Sequence, residues 1–264
     1  MSDLVYLYGF VPAPFQGATN ALAGIDGRPI ELVEVDGVRA VVSHVDEQEY
    51  GSAHVESRLN DLSWVAEQGV AHERVVAWFV DRTQILPASL FTLYSSTAAL
   101  KKSAQTQGEA IRTELRRLDG LREWDLKISC DASMFGRHIG QYSDALRMLD
   151  SDIATAAPGK RYLLERKRAE LARKEVSRVA REQAQRVLEQ VRPHSREALN
   201  LPIPQSAEEL PVILHAALLV HRDQEVDVLN QITALRGEAD RAGLGINFSG
   251  PWAPYRFVQH ERSA

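Results

Sequence analysis

A chain of 264 residues exceeds what one small domain needs, and 44% hydrophobic with 25% charged residues is a core-forming rather than a disordered composition. A net charge of −5 gives no bulk attraction to nucleic acid or anionic lipid, and one cysteine, Cys130, excludes an internal disulfide and a Cys-rich metal centre. The apolar run 4–10 follows Asp3 rather than a basic stretch, and no apolar run approaches the about 20 residues of a membrane span, so a cytoplasmic protein without a membrane segment is expected.

Residues 4–11 are rich in β-formers and stop at Pro12, which predicts a first strand and then a loop. The runs 30–35 and 38–45 flank Asp36-Gly37, a pair that accepts the positive φ of a tight hairpin turn. From 55 to 81 the period becomes helical, and Leu59, Leu62, Val65, Ala66, Val70, Val76 and Val80 are expected on one buried face, with Gly69 as a break. A strand over 83–94, a helix over 97–118 and a strand over 123–130 follow. The second half reads as helix 142–156, a long amphipathic helix at about 160–191, a Pro-rich loop, strand 212–220, helix 224–242 and strand 246–258.

Strands alternating with helices predict an α/β (α+β) protein of two domains with helices on one sheet face. These are a ferredoxin-like domain over 1–122 and a helix-rich α/β domain over 123–264. Either domain could own the strand that carries Trp124.

No catalytic constellation emerges, and a non-enzymatic protein without cofactor or metal is expected. Gly243-Leu244-Gly245 lacks dinucleotide-loop spacing and follows a helix instead of a strand. His72-Glu73 has no second metal-spaced histidine, and His215 and His221 share a strand face without a third ligand. The helix 160–192 holds eleven basic residues against five glutamates, leaving −11 on the rest of the chain. Such segregation suits a protein partner or another copy of the chain. RNA binding by this helix is the weaker reading, because base-stacking aromatics are absent from the basic stretch, and it stays an alternative beside a small-ligand regulatory module built on ferredoxin-like sheets.

The carboxy-terminal Gly250-Pro251-Trp252-Ala253-Pro254-Tyr255-Arg256-Phe257-Val258 differs in kind. Two prolines fix φ and bias the residues before them to extended geometry, so Trp252 sits on a stiff corner and Tyr255 and Phe257 alternate beyond it. Trp252, Tyr255 and Phe257 are the candidate partner-binding residues.

That segment resembles the signature of the GvpL/GvpF family of gas vesicle proteins. Further matches follow in order: Tyr6-Leu7-Tyr8-Gly9, the helix Val70-Ala71-His72-Glu73-Arg74-Val75-Val76, Ile85-Leu86-Pro87, Glu123-Trp124-Asp125-Leu126-Lys127-Ile128 and Gly159-Lys160-Arg161-Tyr162-Leu163. Ala88-Ser89-Leu90-Phe91 departs from the family's Pro-x-Arg-Phe-Gly, and Ala253 stands where proline is common. The resemblance implies an accessory or structural protein of gas vesicle assembly, found in the cytoplasm with the vesicle. It also implies partners in the apolar shell protein and other accessory proteins.

Overall fold

The computed structural model describes residues 3–204 and 210–258. Backbone contacts divide the chain into two units, one of Met1–Glu123 with Pro251–Ala264 and one of Trp124–Gly250. The reading from sequence ran the second domain to 264. The last segment instead belongs with the first unit, because Ala253 is fully buried in that unit's core and Tyr255 packs against the same cluster.

The first unit begins with β1 (Asp3–Pro12), β2 (Glu31–Val35) and β3 (Val38–Asp46). Asp36 and Gly37, at φ 47° and 80°, form the expected hairpin turn between β2 and β3. Helices α1 (Glu47–Tyr50), α2 (Ser52–Arg58) and α3 (Leu62–Val80) follow, then β4 (Leu86–Pro87), β5 (Leu93–Tyr94), α4 (Thr97–Thr106) and α5 (Gly108–Arg117). Strand order is β2-β3-β1-β4 with β5 also on β1, all pairs antiparallel, which is the ferredoxin-like order with a loop in place of the first crossover helix.

Both faces of this sheet are covered, not one. Tyr6, Tyr8, Val41 and Val45 pack with Trp64, Val75, Val76 and Phe79 of α3, while Val5, Leu7, Ala40 and Val42 pack with Leu100 of α4. Burial on two faces explains why β1 reads as a continuous apolar run rather than an alternation. A bulge between Leu7 and Gly9 moves the register by one, so Phe10 joins the face of Leu7 and Val11 that of Tyr8.

Gly9 lies where β4 crosses closest: a Cβ there would stand 2.5 Å from the Leu86 carbonyl oxygen. Gly9→Ala is expected to lower stability by about 2 kcal/mol through overpacking against backbone that cannot yield. A urea midpoint that falls with unchanged slope is the check; an unmoved midpoint rejects the account.

Several expected elements differ. Helix 55–81 breaks at 59–61, where Asp61 caps α3 by accepting from the Trp64 N–H, and Gly69 passes through the helix unbroken. The buried face of α3 is Trp64, Gln68, His72, Val75, Val76, Phe79 and Val80, which leaves Leu59, Leu62 and Val70 exposed. The expected strand 83–94 is two bridges of two residues, because Phe91 turns the chain at φ 61°. Helix 97–118 divides at Gln107–Gly108, where a side chain at 108 would strike the Asp36 carboxylate.

The second unit takes β6 (Leu121–Cys130) from Trp124 onward, α6 (Ala132–His138), α7 (Asp144–Thr155), α8 (Pro158–Val191), β7 (Glu197–Asn200), β8 (Val212–His221), α9 (Glu225–Ala242) and β9 (Leu244–Trp252) as far as Gly250. Strand order β7-β8-β6-β9 repeats the arrangement of the first sheet. Trp124, Leu126, Ile128 and Cys130 of β6 form one face with Leu218 and Val220, covered by Phe135, Leu146, Val179, Ala184 and Ile232 from the helices. The strand 246–258 ends at Trp252, because Pro254 carries no N–H and residues Tyr255–Phe257 form a single 3-10 turn.

Candidate functional site

Motifs that look unrelated in the sequence meet beneath the carboxy-terminal corner. From β1, Tyr6 and Tyr8 bring their rings to 4.9 Å, and His72 of α3 packs on both at 5.7 and 5.5 Å. The Tyr6 hydroxyl accepts the Phe91 N–H at 3.2 Å and lies 2.8 Å from His72 Nδ1. Which of the two donates follows from the imidazole tautomer. His72 Nε2 is buried and makes no hydrogen bond. Burial pushes the His72 pKa down from 6.5 to about 4, with the Ala88 carbonyl opposing, and the ring is neutral at pH 7.

The next residue on α3 reaches the corner itself. Tyr255 donates its hydroxyl hydrogen to Glu73 Oε2 at 3.1 Å, and its ring stands 6.4 Å from His72. Burial raises the Glu73 pKa; the Tyr255 hydrogen bond opposes the rise and the Glu123 charge adds to it. Burial likewise pushes the Tyr255 hydroxyl up, helped by the Glu73 charge. Glu123, almost fully buried, accepts the Arg256 backbone N–H at 3.0 Å and its guanidinium at 2.6 Å. Arg117 donates to the Phe257 carbonyl. The corner is thus tied by side chains from α3, α5 and β6.

Of the three candidate residues, Phe257 is buried and Tyr255 is partly buried against the core, whereas Trp252 is 41% exposed. Tyr6, the pair His72-Glu73 and Glu123 lie in separate sequence motifs, and nothing in the sequence joins them as a unit. Their partners are up to 182 residues apart in sequence, beyond any spacing rule.

A groove of about 720 Å³ opens within the same unit, floored by Leu7, Phe10, Leu86, Pro87 and Ile111 and ending at Val258. Its polar lining is Ser89, Thr92, Thr106, Gln107, Glu109, Thr113 and Glu114. An apolar floor beside two carboxylates suits an apolar segment better than an anionic metabolite.

In the second unit both histidines of β8 are engaged. His215 places Nε2 on Asp125 at 2.9 Å and Nδ1 on the Pro202 carbonyl at 3.1 Å, so neither nitrogen is available to a metal. His221 accepts the Asp223 N–H. Burial raises the Cys130 thiol pKa, which removes nucleophilic thiolate. Trp124 stacks on Phe248 at 4.9 Å and donates to Glu225. Among the described residues no three His, Cys, Asp or Glu side chains gather with metal geometry, and no helix is long and apolar enough to cross a membrane.

Comparison with known proteins gives one family. The model of the gas vesicle synthesis protein GvpL/GvpF family matches residues 4–259. The chain is 28% identical to gas vesicle protein L1 of Halobacterium salinarum, over 96% of this chain and 89% of that one. It is also 28% identical to gas vesicle protein L of Streptomyces sp., over 97% and 92%. In fold it is similar to the crystal structures of gas vesicle protein GvpF from Anabaena sp. (TM-score 0.70, 19% identity, 98% of this chain and 99% of that one) and from Microcystis aeruginosa (0.68, 20%, 98% and 100%).

Proposed function

The chain belongs to the GvpL/GvpF family of gas vesicle synthesis proteins and has a role in gas vesicle assembly, and we propose that it does this without catalysis, by binding the apolar shell subunit at the carboxy-terminal corner. A shell subunit with a gas-facing apolar side exposes that side and its strand edges before it joins the wall, and both promote aggregation. A cytoplasmic binder that covers them holds the subunit or nucleates the wall, alongside other accessory proteins of the vesicle.

The observation that carries this reading is the exposure of Trp252 on a corner whose neighbours are fixed. Ala253 and Phe257 are buried, Tyr255 is held by Glu73, and Arg256 is held by Glu123. A large aromatic presented this way loses little entropy on contact and has the character of an interface anchor. Tyr255 and Phe257 set its position from within, and the groove ending at Val258 offers an apolar trough for the subunit.

Retention of the purified shell protein on immobilised chain tests it. Trp252→Ala is expected to weaken retention roughly thirtyfold, as loss of an anchoring tryptophan does, with the thermal midpoint unchanged because the side chain is part-exposed. Full retention by the folded variant removes the corner from the account.

A further inference from the structure

Helix α3 carries two apolar stripes, and only one is used inside its own unit. Leu62, Ala66 and Val70, spaced by four and four, form a ridge facing solvent, with Leu62 79% and Val70 61% exposed, and Leu59 is exposed just before the helix. Scattered exposed apolar residues are ordinary; a ridge two turns long is not. Residues 46–70 contain six acidic side chains against Arg58 alone, and Glu56, Asp61 and Glu67 are exposed along the ridge. A hollow of about 530 Å³ lined by Gly24, Asp26, Ala66, Val70 and Arg74 runs beside it.

The amino-terminal half of α8 presents the opposite pattern. Leu164 and Leu171 pack against the core of the second unit, while Tyr162 and Leu163 are 61% and 65% exposed. Arg166 and Lys167 lie one turn further along the outer face, and Arg173 and Lys174 continue it. Residues 158–174 hold seven basic and two acidic side chains, and Lys160, Arg166 and Lys167 form no ion pair among the described residues.

We infer that the α3 ridge of one copy of this chain docks on the outer face of α8 of a second copy. Leu62 and Val70 pack on Tyr162 and Leu163, and Glu56, Asp61 and Glu67 face Lys160, Arg166 and Lys167. Both surfaces expose apolar side chains, and their margins carry opposite charge. A membrane is a poorer occupant of α8, since two apolar side chains are too few to anchor a helix in lipid. Nucleic acid would use the cations, yet it leaves Tyr162 as the sole stacking aromatic and the ridge uncovered. Because the two surfaces differ, the contact is head-to-tail, and added copies produce chains or rings.

Sedimentation of the full chain over a range of concentrations tests this. Mass is expected to rise with concentration at low salt and to fall towards one copy as about 0.5 M salt screens the margins. Glu67→Lys and Lys167→Glu, each on an exposed side chain, are expected to weaken association roughly tenfold apiece. The chain carrying both reversals regains complementarity and associates again, which a mere folding defect would not allow. Leu62→Asp weakens it at every salt concentration. A chain that stays single throughout, or whose association neither reversal weakens, overturns the proposal. So does a chain that stays single while its α8 face retains an oligonucleotide or an anionic vesicle.

Discussion

Replacing Glu123 by alanine is expected to lower the stability of the chain by about 3 kcal/mol, near the lower end for breaking a buried ion pair. The carboxylate is 2% exposed and accepts from both the backbone N–H and the guanidinium of Arg256. Alanine would remove the acceptor of the Arg256 N–H and the carboxylate that its guanidinium meets. Arg256 is 39% exposed at its side chain, so water recovers part of the loss, which keeps the estimate from the upper end. Glu123→Gln retains an acceptor for the N–H and is expected to cost about 1 kcal/mol. Urea midpoints measure both, and brief trypsin digestion adds a local readout. Arg256 is held by Glu123 in the parent chain and is expected to be cut faster in the alanine variant. Equal midpoints and equal cutting would show that the corner does not depend on this tie. The comparison with Trp252→Ala separates the two roles. That change is expected to reduce retention of the shell protein with folding intact, whereas Glu123→Ala is expected to reduce retention because the corner itself shifts.

What the sequence makes legible here is local. Asp36-Gly37 announces its turn because two adjacent residues carry the whole conformational demand. Pro158 opens α8 and the apolar spacing of 172–191 continues it, so that helix is readable end to end. The orientation of α3 is not readable in this way, because both of its faces have helical spacing. The face that goes inside includes Gln68 and His72, which periodicity counts as polar. They are tolerated there because the Tyr50 hydroxyl sits 2.9 Å from Gln68 Oε1 and the Tyr6 hydroxyl meets His72. Strand β7 lies in a Pro-rich stretch of four residues with no alternation of its own, and only its ladder to β8 defines it. The corner was recognised as stiff from its prolines. Its burial at Tyr255 and Phe257 depends on Glu73, Arg117 and Glu123, which lie 133 to 182 residues away.

Those tertiary partners also give the chain an expected dependence on pH. His72 is almost fully buried, and its pKa falls from 6.5 to about 4. As pH drops below 6.5 the unfolded chain takes up this proton first, so the folded state loses relative stability. The loss accumulates between pH 6.5 and 4 and amounts to about 3 kcal/mol when complete. Glu73 acts with the opposite sign: its pKa is raised on folding, so the folded state binds the proton earlier and gains stability as pH falls. The measured loss for the parent chain is therefore smaller than the histidine alone would give. His72→Asn keeps an acceptor for the Tyr6 hydroxyl and removes the titrating ring. Its stability is expected to decline less than the parent's over that window. All other titrating groups are common to the two chains, so the difference between their urea-derived stabilities at pH 6.5 and pH 4.5 isolates the histidine. Parallel curves over that interval would mean that His72 takes up its proton in the folded chain as readily as in water, and that the buried hydrogen-bond network is open to solvent.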